Sequence, residues 1–190
     1  MAQATTAGWQ DRIVDLLSEL RGTAWSSEAD VDDRLIRPCL RVLGWNVYGA
    51  NTEVWIPLAK EMAAFWSYPS GRMRRDYVLS SETRQVLHIE AKHRWGTTTW
   101  EIEALLGQIN RDDWRGTEGD GWKKDLALLS WGAQRQGSHR AALMAQNRLL
   151  VFDWEQRWRL VAEARLFEDP PDRLFEAFRL LELAAFAAGA

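Results

Sequence analysis

The stretch of residues 75–92 constrains the fold more than any other part of the chain, because both of its halves alternate between apolar and polar residues as β-strands do. Successive side chains of a strand point to opposite faces. The second half therefore separates into two sets, with Leu87, Ile89 and Ala91 on one face and Val86, His88, Glu90 and Lys92 on the other. Residues 80–84 are short and polar, which predicts a turn between two antiparallel strands.

This hairpin would bring ionisable groups together, since Asp76 lies on its first strand while Glu90 and Lys92 share one face of the second. Two carboxylates and an amine on a half-buried sheet surface are unfavourable unless they bind one another, a metal or a substrate. An acid-x-Lys pattern alone is common. Lys92 is nevertheless the only one of four lysines that follows an acidic residue by two positions. We therefore favour a metal site over a structural ion cluster.

The same residues carry a resemblance to a known family. Asp76 matches the first acid of the PD-(D/E)XK nuclease superfamily, and Glu90-Ala91-Lys92 matches its second acid and lysine. Over roughly residues 28–132 the chain looks most like the nuclease domain at the start of type I restriction motor subunits. Two positions depart from the pattern. Arg75 replaces the nominal proline, and the Gln-x-x-x-Tyr element is incomplete because Gln108 is followed four positions later by Asp112.

The resemblance implies an α/β fold with a restriction endonuclease-like core, in which helices flank a mixed central β-sheet, as one domain spanning residues 1–190. It also implies a Mg²⁺-dependent endonuclease that hydrolyses DNA in restriction or antiviral defence. Hard oxygen ligands suit Mg²⁺, and Mn²⁺ is an alternative ion. The expected ligands are Asp76, Glu90, Glu53 and the backbone carbonyl of Ala91. Lys92 would orient the attacking water and stabilise charge on the phosphate.

Several of these assignments compete with simpler ones. Glu53 is either an acid near the metal or a solvated strand carboxylate. Glu28 is better explained as a charge that complements a helix N-terminus than as an acid reaching the metal. Gln108, on the helix after Lys92, would contact Lys92 or a phosphate, although surface glutamines are commonplace. His88 is expected to pack against the hairpin rather than to bind zinc.

A basic rim is expected around the site. Its members are the residues Arg72, Arg74, Arg75, His93 and Arg94, which precede Asp76 or follow Lys92. They would contact phosphates of a nucleic acid, or else form a solvated face. Trp95 and Trp100 flank the same region, and we expect them in the core rather than stacked on a base. The twelve tryptophans spread along the chain, which indicates packing rather than one binding cluster.

Composition sets looser limits. The formal net charge of −3 argues mildly against binding nucleic acid through electrostatics alone. The single cysteine, Cys39, excludes an intrachain disulfide and fits a reducing cytoplasm. No apolar run reaches the length of a membrane span, so we expect a cytoplasmic protein without membrane contact.

Periodicity and end signals predict the remaining elements. Helices are expected over residues 9–21, from Ser26 or Ser27 to Gly44 with a kink at Pro38, from a Thr98–Glu101 capping box to about 114, over about 136–147, and from Pro170 onward. Strands are expected over 45–56, with an interruption at 49–51, and over 125–131, 148–154 and 157–164. Residues 58–66 fit either a short helix or an extended segment.

Two other functions remain open at this point. One is a catalytically silent copy of the nuclease fold that binds nucleic acid or assembles a complex. The other is an RNA-cleaving nuclease, which would use the same metal chemistry. The expected partners are DNA and either a second copy of the chain or a subunit that supplies a motor or target recognition. The apolar segment 183–188 is a candidate interface.

Overall fold

A six-stranded mixed β-sheet forms the centre of the protein, as expected for an α/β fold. The computed structural model describes residues 8–47, 52–81, 86–119, 121–183 and 185. The strands lie in chain order: β1 Thr52–Pro57, β2 Arg72–Ser80, β3 Val86–Lys92, β4 Arg140–Ala145, β5 Arg148–Trp154 and β6 Trp158–Ala164. Neighbours are antiparallel except β3 and β4, which run parallel. The two helices between β3 and β4 provide the crossover that a parallel pair requires.

Helices cover both faces of this sheet. They are α1 Trp9–Leu20, α2 Glu28–Val31, a π-helical turn Asp32–Ile36, α3 Arg37–Val42, α4 Lys60–Phe65, α5 Thr99–Ile109, α6 Trp122–Arg135 and α7 Pro171–Arg179. One apolar cluster joins α1, α3 and α7 to the sheet, and a second joins α4, α5 and α6 to the opposite face. No helix in the described ranges is long and apolar enough to cross a membrane.

Burial on both faces corrects the expectation that the central hairpin is half exposed. Leu87, Ile89 and Ala91 belong to the first apolar cluster. On the other face His88 is fully buried and Glu90 is 8% exposed. The ionisable side chains of β3 therefore sit between the sheet and α6 rather than on an open surface, which strengthens every electrostatic interaction among them.

The second helical stretch contains a π-helical turn near Pro38, where a kink was expected. Ser27 caps the stretch by accepting a hydrogen bond from the Asp30 backbone N–H at 3.2 Å. The π-helical turn ends at Ile36, two residues before Pro38, and the Arg37 N–H donates to the Asp32 carbonyl five residues back. Proline lacks an N–H, so it cannot continue the regular helical pairing. The wider turn is one way in which a helix absorbs such a break.

Two expected elements are exchanged, which is the main error of the sequence-based prediction. Residues 125–131, expected as a strand, belong to helix α6, and residues 136–147, expected as a helix, contain strand β4. Both segments are buried throughout residues 126–133 and 140–145. A segment that is apolar on every side shows neither the helical nor the strand period, so periodicity cannot assign it.

The other predictions fare better. Helix α1 and the last hairpin are confirmed, α7 begins after Pro170, and the Thr98–Glu101 capping box is present. Helix α5 ends at Ile109, earlier than expected. The first strand begins at Thr52, so the buried residues Trp45 and Val47 precede it. Residues 58–66, which fitted either a helix or an extended segment, contain the short helix α4. The expected interruption at 49–51 and most of segments 80–84 and 183–188 lie outside the described residues.

Candidate active site

The site is organised by a fork between β2 and β3. Their pairing runs from Ser80 opposite Val86 to Tyr77 opposite Ile89. Beyond that point the Ala91 backbone N–H donates to the Asp76 Oδ2 atom at 2.8 Å. A side-chain carboxylate thus takes the place of a backbone acceptor, and Asp76 is held against the backbone of the Glu90-Ala91-Lys92 segment.

Three carboxylates lie close to the ammonium group of Lys92 at this fork. Its Nζ atom lies 3.0 Å from Glu90 Oε1, 3.5 Å from Asp125 Oδ1 and 3.8 Å from Glu28 Oε2. These acids come from β3 itself, from the first turn of α6 and from the start of α2. The Lys92 side chain is 21% exposed, so the ammonium is partly screened from water but not turned into the apolar core.

Arg75 occupies the other side of Glu90. Its guanidinium donates to Glu90 Oε2 in an ion pair, and the residue is only 1% exposed. Helix α6 packs closely against β2 at Gly132, where a Cβ atom would lie 2.5 Å from Met73 Cε and in ordinary contact, at 3.6 Å, with Arg75 Nη2. Both carboxylate oxygens of Glu90 are therefore held by cations.

The charges near the fork do not balance. Three cations, Arg74, Arg75 and Lys92, face a larger number of acids, and two net negative charges remain when all are ionised. The five carboxylates are those of Glu28, Glu53, Asp76, Glu90 and Asp125. Burial, followed by repulsion from Glu90, raises the pKa of Asp76 to about 7. The Ala91 N–H and Lys92 oppose this rise but do not cancel it. An additional cation would restore Asp76 to its ionised form.

The two flanking ionisable groups shift for the same reasons. Burial lowers the pKa of Lys92, but Glu90, Asp125 and Glu28 outweigh it, so the net pKa is raised and the ammonium stays charged. Burial raises the pKa of Asp125, although Lys92 lowers it. Lys92 thus acts as a fixed positive charge and not as a base that accepts protons near neutral pH.

A cavity of about 220 Å³ lies next to Asp76. Its walls include Glu28, Glu53, Arg74, Asp76 and Ala91. Arg74 bridges two of the acids, with one guanidinium nitrogen 3.7 Å from Glu53 Oε1 and the other 3.7 Å from Asp76 Oδ1. Glu53 has a φ of 52° and an exposed side chain. The cavity gives solvent and small ions access to Asp76.

The donor set can be compared with the needs of a divalent cation. Across the described ranges, no three or more His, Cys, Asp or Glu residues are already gathered as a metal cluster. What favours an ion here is chemistry: carboxylate oxygens, a backbone carbonyl at Ala91, excess negative charge and a raised Asp76 pKa. Asp76, with the Ala91 carbonyl and Glu90, would hold Mg²⁺, and Glu53 lines the same cavity.

The expected phosphate-contacting rim is only partly formed. Arg72, Arg74 and Arg94 are exposed, whereas His93 is half-buried and its Nε2 atom is without a partner in the described structure. Arg75 is a correction, because its burial against Glu90 removes it from any surface that a phosphate reaches. Trp95 is buried against Trp122 as expected, but Trp100 is 74% exposed and does not belong to the core.

Three further residues had alternative explanations. Gln108 lies on α5, which packs against β6 and α6, and its proposed contact with Lys92 or a phosphate stays a prediction. Glu28 approaches Lys92 as well as occupying a helix start, so its two explanations are compatible. His88 is buried as expected, and burial together with Arg75 lowers its pKa to about 3, so it is neutral.

Sequence reasoning missed Asp125. Its segment was expected to be a strand, which hid the fact that Asp125 lies in the first turn of a helix that begins after Gly121. The available signal was the sequence Gly121-Trp122-Lys123-Lys124-Asp125, in which a glycine precedes a polar turn and then a long apolar run. Helix α6 supplies the partner to Lys92 that was expected from α5.

Comparison of the chain with protein-family models, with curated proteins and with solved structures gives no match. The geometry of the fork and the chemistry of its side chains therefore carry the functional argument.

Proposed function

We propose that the protein is a Mg²⁺-dependent endonuclease that hydrolyses phosphodiester bonds of DNA, of the PD-(D/E)XK type, acting in cytoplasmic restriction or defence. One observation carries the proposal. The Asp76 carboxylate is fixed on the Ala91 N–H while Glu90 and Lys92, on the same strand as Ala91, are paired at 3.0 Å. The antiparallel strands β1 to β3 followed by the parallel β4 support it, because the resemblance implies a mixed sheet flanked by helices.

A phosphodiester resists hydrolysis because its charge repels nucleophiles and its alkoxide leaves poorly. Bound Mg²⁺ would neutralise the phosphate and lower the pKa of a coordinated water. Asp76, Glu90 and the Ala91 carbonyl would hold the ion. Lys92 would then orient a water near the phosphorus atom and stabilise the negative charge that develops on the phosphate oxygens.

A silent nuclease-fold module is the second candidate, and one observation favours it. Arg75 and Lys92 hold both oxygens of Glu90, which lowers the capacity of this carboxylate to bind a metal. In such a module the same charges would only stabilise the fold. The two candidates differ in whether any divalent ion produces cutting.

The deciding experiment incubates the purified protein with supercoiled plasmid, linear duplex, single-stranded DNA and RNA, in Mg²⁺, Mn²⁺ or EDTA. We expect DNA cutting in either metal and none in EDTA. Asp76→Asn and Lys92→Met should each abolish cutting. Asp15→Asn and Arg173→Met remove one exposed charge of each sign from α1 and α7, and both should cut like the wild type.

The outcomes separate the candidates. Binding of DNA without cutting in any metal would favour the silent module, and preferential cutting of RNA would change the substrate class. Cutting that survives EDTA or either site substitution would reject the proposed site. A duplex has two strands, so complete cleavage also calls for two sites, supplied by a homodimer or by a partner subunit that brings a motor or target recognition. Sedimentation with and without DNA tests this.

A further inference from the structure

An open cavity of about 760 Å³ is lined by residues from the segment between β1 and β2. It is formed by α4 and the following turn, and its lining includes Leu58, Lys60, Ala63, Ala64, Tyr68 and Gly71. Pockets that bind small planar groups have volumes in this range and mostly apolar walls with a few polar groups.

The cavity is rigid in its backbone. The Tyr68 N–H donates to the Ala63 carbonyl at 2.7 Å, the Gly71 N–H donates to the Tyr68 carbonyl at 2.9 Å, and the Leu58 N–H donates to the Gly71 carbonyl at 2.9 Å. Helix α4 is thereby tied to the turn and to the end of β1. A cavity that is formed before the ligand arrives loses little entropy on binding.

Tyr68 connects this cavity to the proposed active site. Burial raises the pKa of the Tyr68 hydroxyl, and Glu90 and Asp125 raise it further while Arg75 and Lys92 oppose them. The link is also geometric, because Lys124 Nζ lies 5.0 Å from the centroid of the Tyr68 ring. Lys124 directly precedes Asp125 in α6, and Asp125 lies 3.5 Å from Lys92 at the fork.

Two lysines near the cavity indicate which class of ligand it would bind. Lys60 lines the cavity and is exposed, and Lys124 lies against the Tyr68 ring. The chain as a whole has a net charge of −3, so positive charge at this cavity is not a general property of its surface. An aromatic ring with positive charges nearby suits a nucleic-acid strand, whose bases stack while its phosphates are neutralised.

We propose that the cavity beside Tyr68 receives an unstacked base of the strand whose phosphate lies at the fork, with Lys60 and Lys124 facing the neighbouring phosphates. This deepens the proposed function and rests on it. A paired and stacked base cannot enter the cavity without leaving the duplex, which costs free energy. The protein should therefore bind single-stranded or locally unpaired DNA in preference to a perfect duplex.

The test measures binding in EDTA, so it does not depend on cutting. Fluorescence anisotropy would follow a labelled single-stranded oligonucleotide, the same strand in a duplex, and a strand of abasic sites. We expect Tyr68→Phe to retain affinity and Tyr68→Ala to weaken single-strand binding about tenfold. Ala64→Trp, which fills the cavity from an exposed position of α4, should have the same effect without removing any contact. Neither change should weaken binding of the abasic strand.

Salt dependence tests the lysines separately. For single strands the slope of log affinity against log salt is negative, and its magnitude falls by about 0.7 for each phosphate contact that is lost. Lys60→Met and Lys124→Met should each show this change, whereas the exposed substitution Arg173→Met should not.

The results are decisive in either direction. Equal affinity of the wild type, Tyr68→Ala and Ala64→Trp for single strands would overturn the inference, as would the absence of any single-strand binding. If Ala64→Trp instead changed only the sedimentation of the protein, the cavity would be a contact between copies of the chain. A wild-type protein that cuts DNA but binds normal and abasic single strands equally would refute the base-binding cavity alone. A wild-type protein that prefers normal to abasic strands but cuts no DNA in any metal would refute the nuclease proposal alone.

Discussion

The carboxylate of Asp76 accepts the backbone N–H of Ala91 at 2.8 Å, and this bond fixes one oxygen of the acid where strands β2 and β3 part. The other oxygen lies 3.7 Å from the half-exposed Arg74. The first acid of the site is thus positioned by the backbone of the strand that carries the second acid and the lysine. Backbone geometry holds these groups together.

The first prediction concerns the pH dependence of stability. The pKa of Asp76 rises from 3.8 to about 7 on folding, so the folded state binds this proton more tightly than the unfolded state. The free energy of unfolding should therefore fall as the pH rises from about 4 to about 7. At pH 8 Asp76→Asn should be more stable than the wild type by about 1–3 kcal/mol, and near pH 4 the two should be equal.

Urea unfolding at both pH values measures this difference, with the exposed Asp15→Asn as the matched control. Mg²⁺ at pH 8 should raise the melting temperature of the wild type and leave that of Asp76→Asn unchanged. Equal stability of wild type and Asp76→Asn at pH 8 would show that Asp76 carries no electrostatic cost.

The second prediction concerns Lys92. Its raised pKa means that the ammonium stabilises the fold at neutral pH, and this contribution is present below about pH 10.5 and lost at higher pH. Lys92→Met leaves Glu90, Asp125 and Glu28 without their shared cation, and we expect the free energy of unfolding to fall by about 1–3 kcal/mol. In the Asp125→Asn variant the same substitution should lower the free energy of unfolding by less. Additive losses in this double-mutant cycle would contradict the contact with Asp125.

The third prediction concerns the ion pair between Arg75 and Glu90. Removal of one partner leaves an uncompensated buried charge, so Arg75→Met should lower the free energy of unfolding by about 3–5 kcal/mol. Arg75→Met combined with Glu90→Gln should recover part of that loss. Chemical denaturation of the single and double variants gives the coupling energy, and a value near zero would mean that the pair is not formed in solution.

The fourth prediction concerns Asn147, which holds the chain just after Lys92. Its side chain accepts the Trp95 N–H at 3.0 Å and donates to the Trp95 carbonyl at 2.9 Å. Asn110 makes the same two bonds to Trp158, on the strand farthest from β1 in the sheet. Each Asn→Ala change should destabilise the fold by about 1–3 kcal/mol.

Of the two variants, only Asn147→Ala should also lower the rate of DNA cutting, because Asn147 bonds to the segment next to Lys92 and Asn110 bonds to β6. The comparison therefore needs both variants, assayed at a temperature where each is fully folded. A rate that falls equally in Asn147→Ala and Asn110→Ala would indicate a general loss of stability rather than a local effect.

The central hairpin could be predicted from the sequence because its alternation has only one structural explanation. That alternation brought Glu90 and Lys92 to one face and Asp76 to the neighbouring strand, as the structure has them. It did not reveal the burial of Arg75, since an arginine before a strand acid is normally solvated. The buried position of Arg75 follows from its ion pair with Glu90 and from the packing of α6, a distant segment of the chain, against β3.

Assignment of α6 and β4 required tertiary information. Residues 126–129 and 141–145 are apolar throughout, and the second segment contains three alanines, one leucine and one methionine, which all favour helices. Its position between β3 and β5 overrides that preference. Because the two elements were exchanged, Asp125 was placed on a strand and its contact with Lys92 could not be foreseen.

The most direct test of the central claim is the rate at which supercoiled plasmid is cut as Mg²⁺ is titrated from zero, compared between the wild type and Asp76→Asn. The account predicts a rate that rises and saturates with Mg²⁺ for the wild type, returns to zero on addition of EDTA, and stays at zero for Asp76→Asn. A rate that does not depend on Mg²⁺, or that is equal in the two proteins, would contradict it.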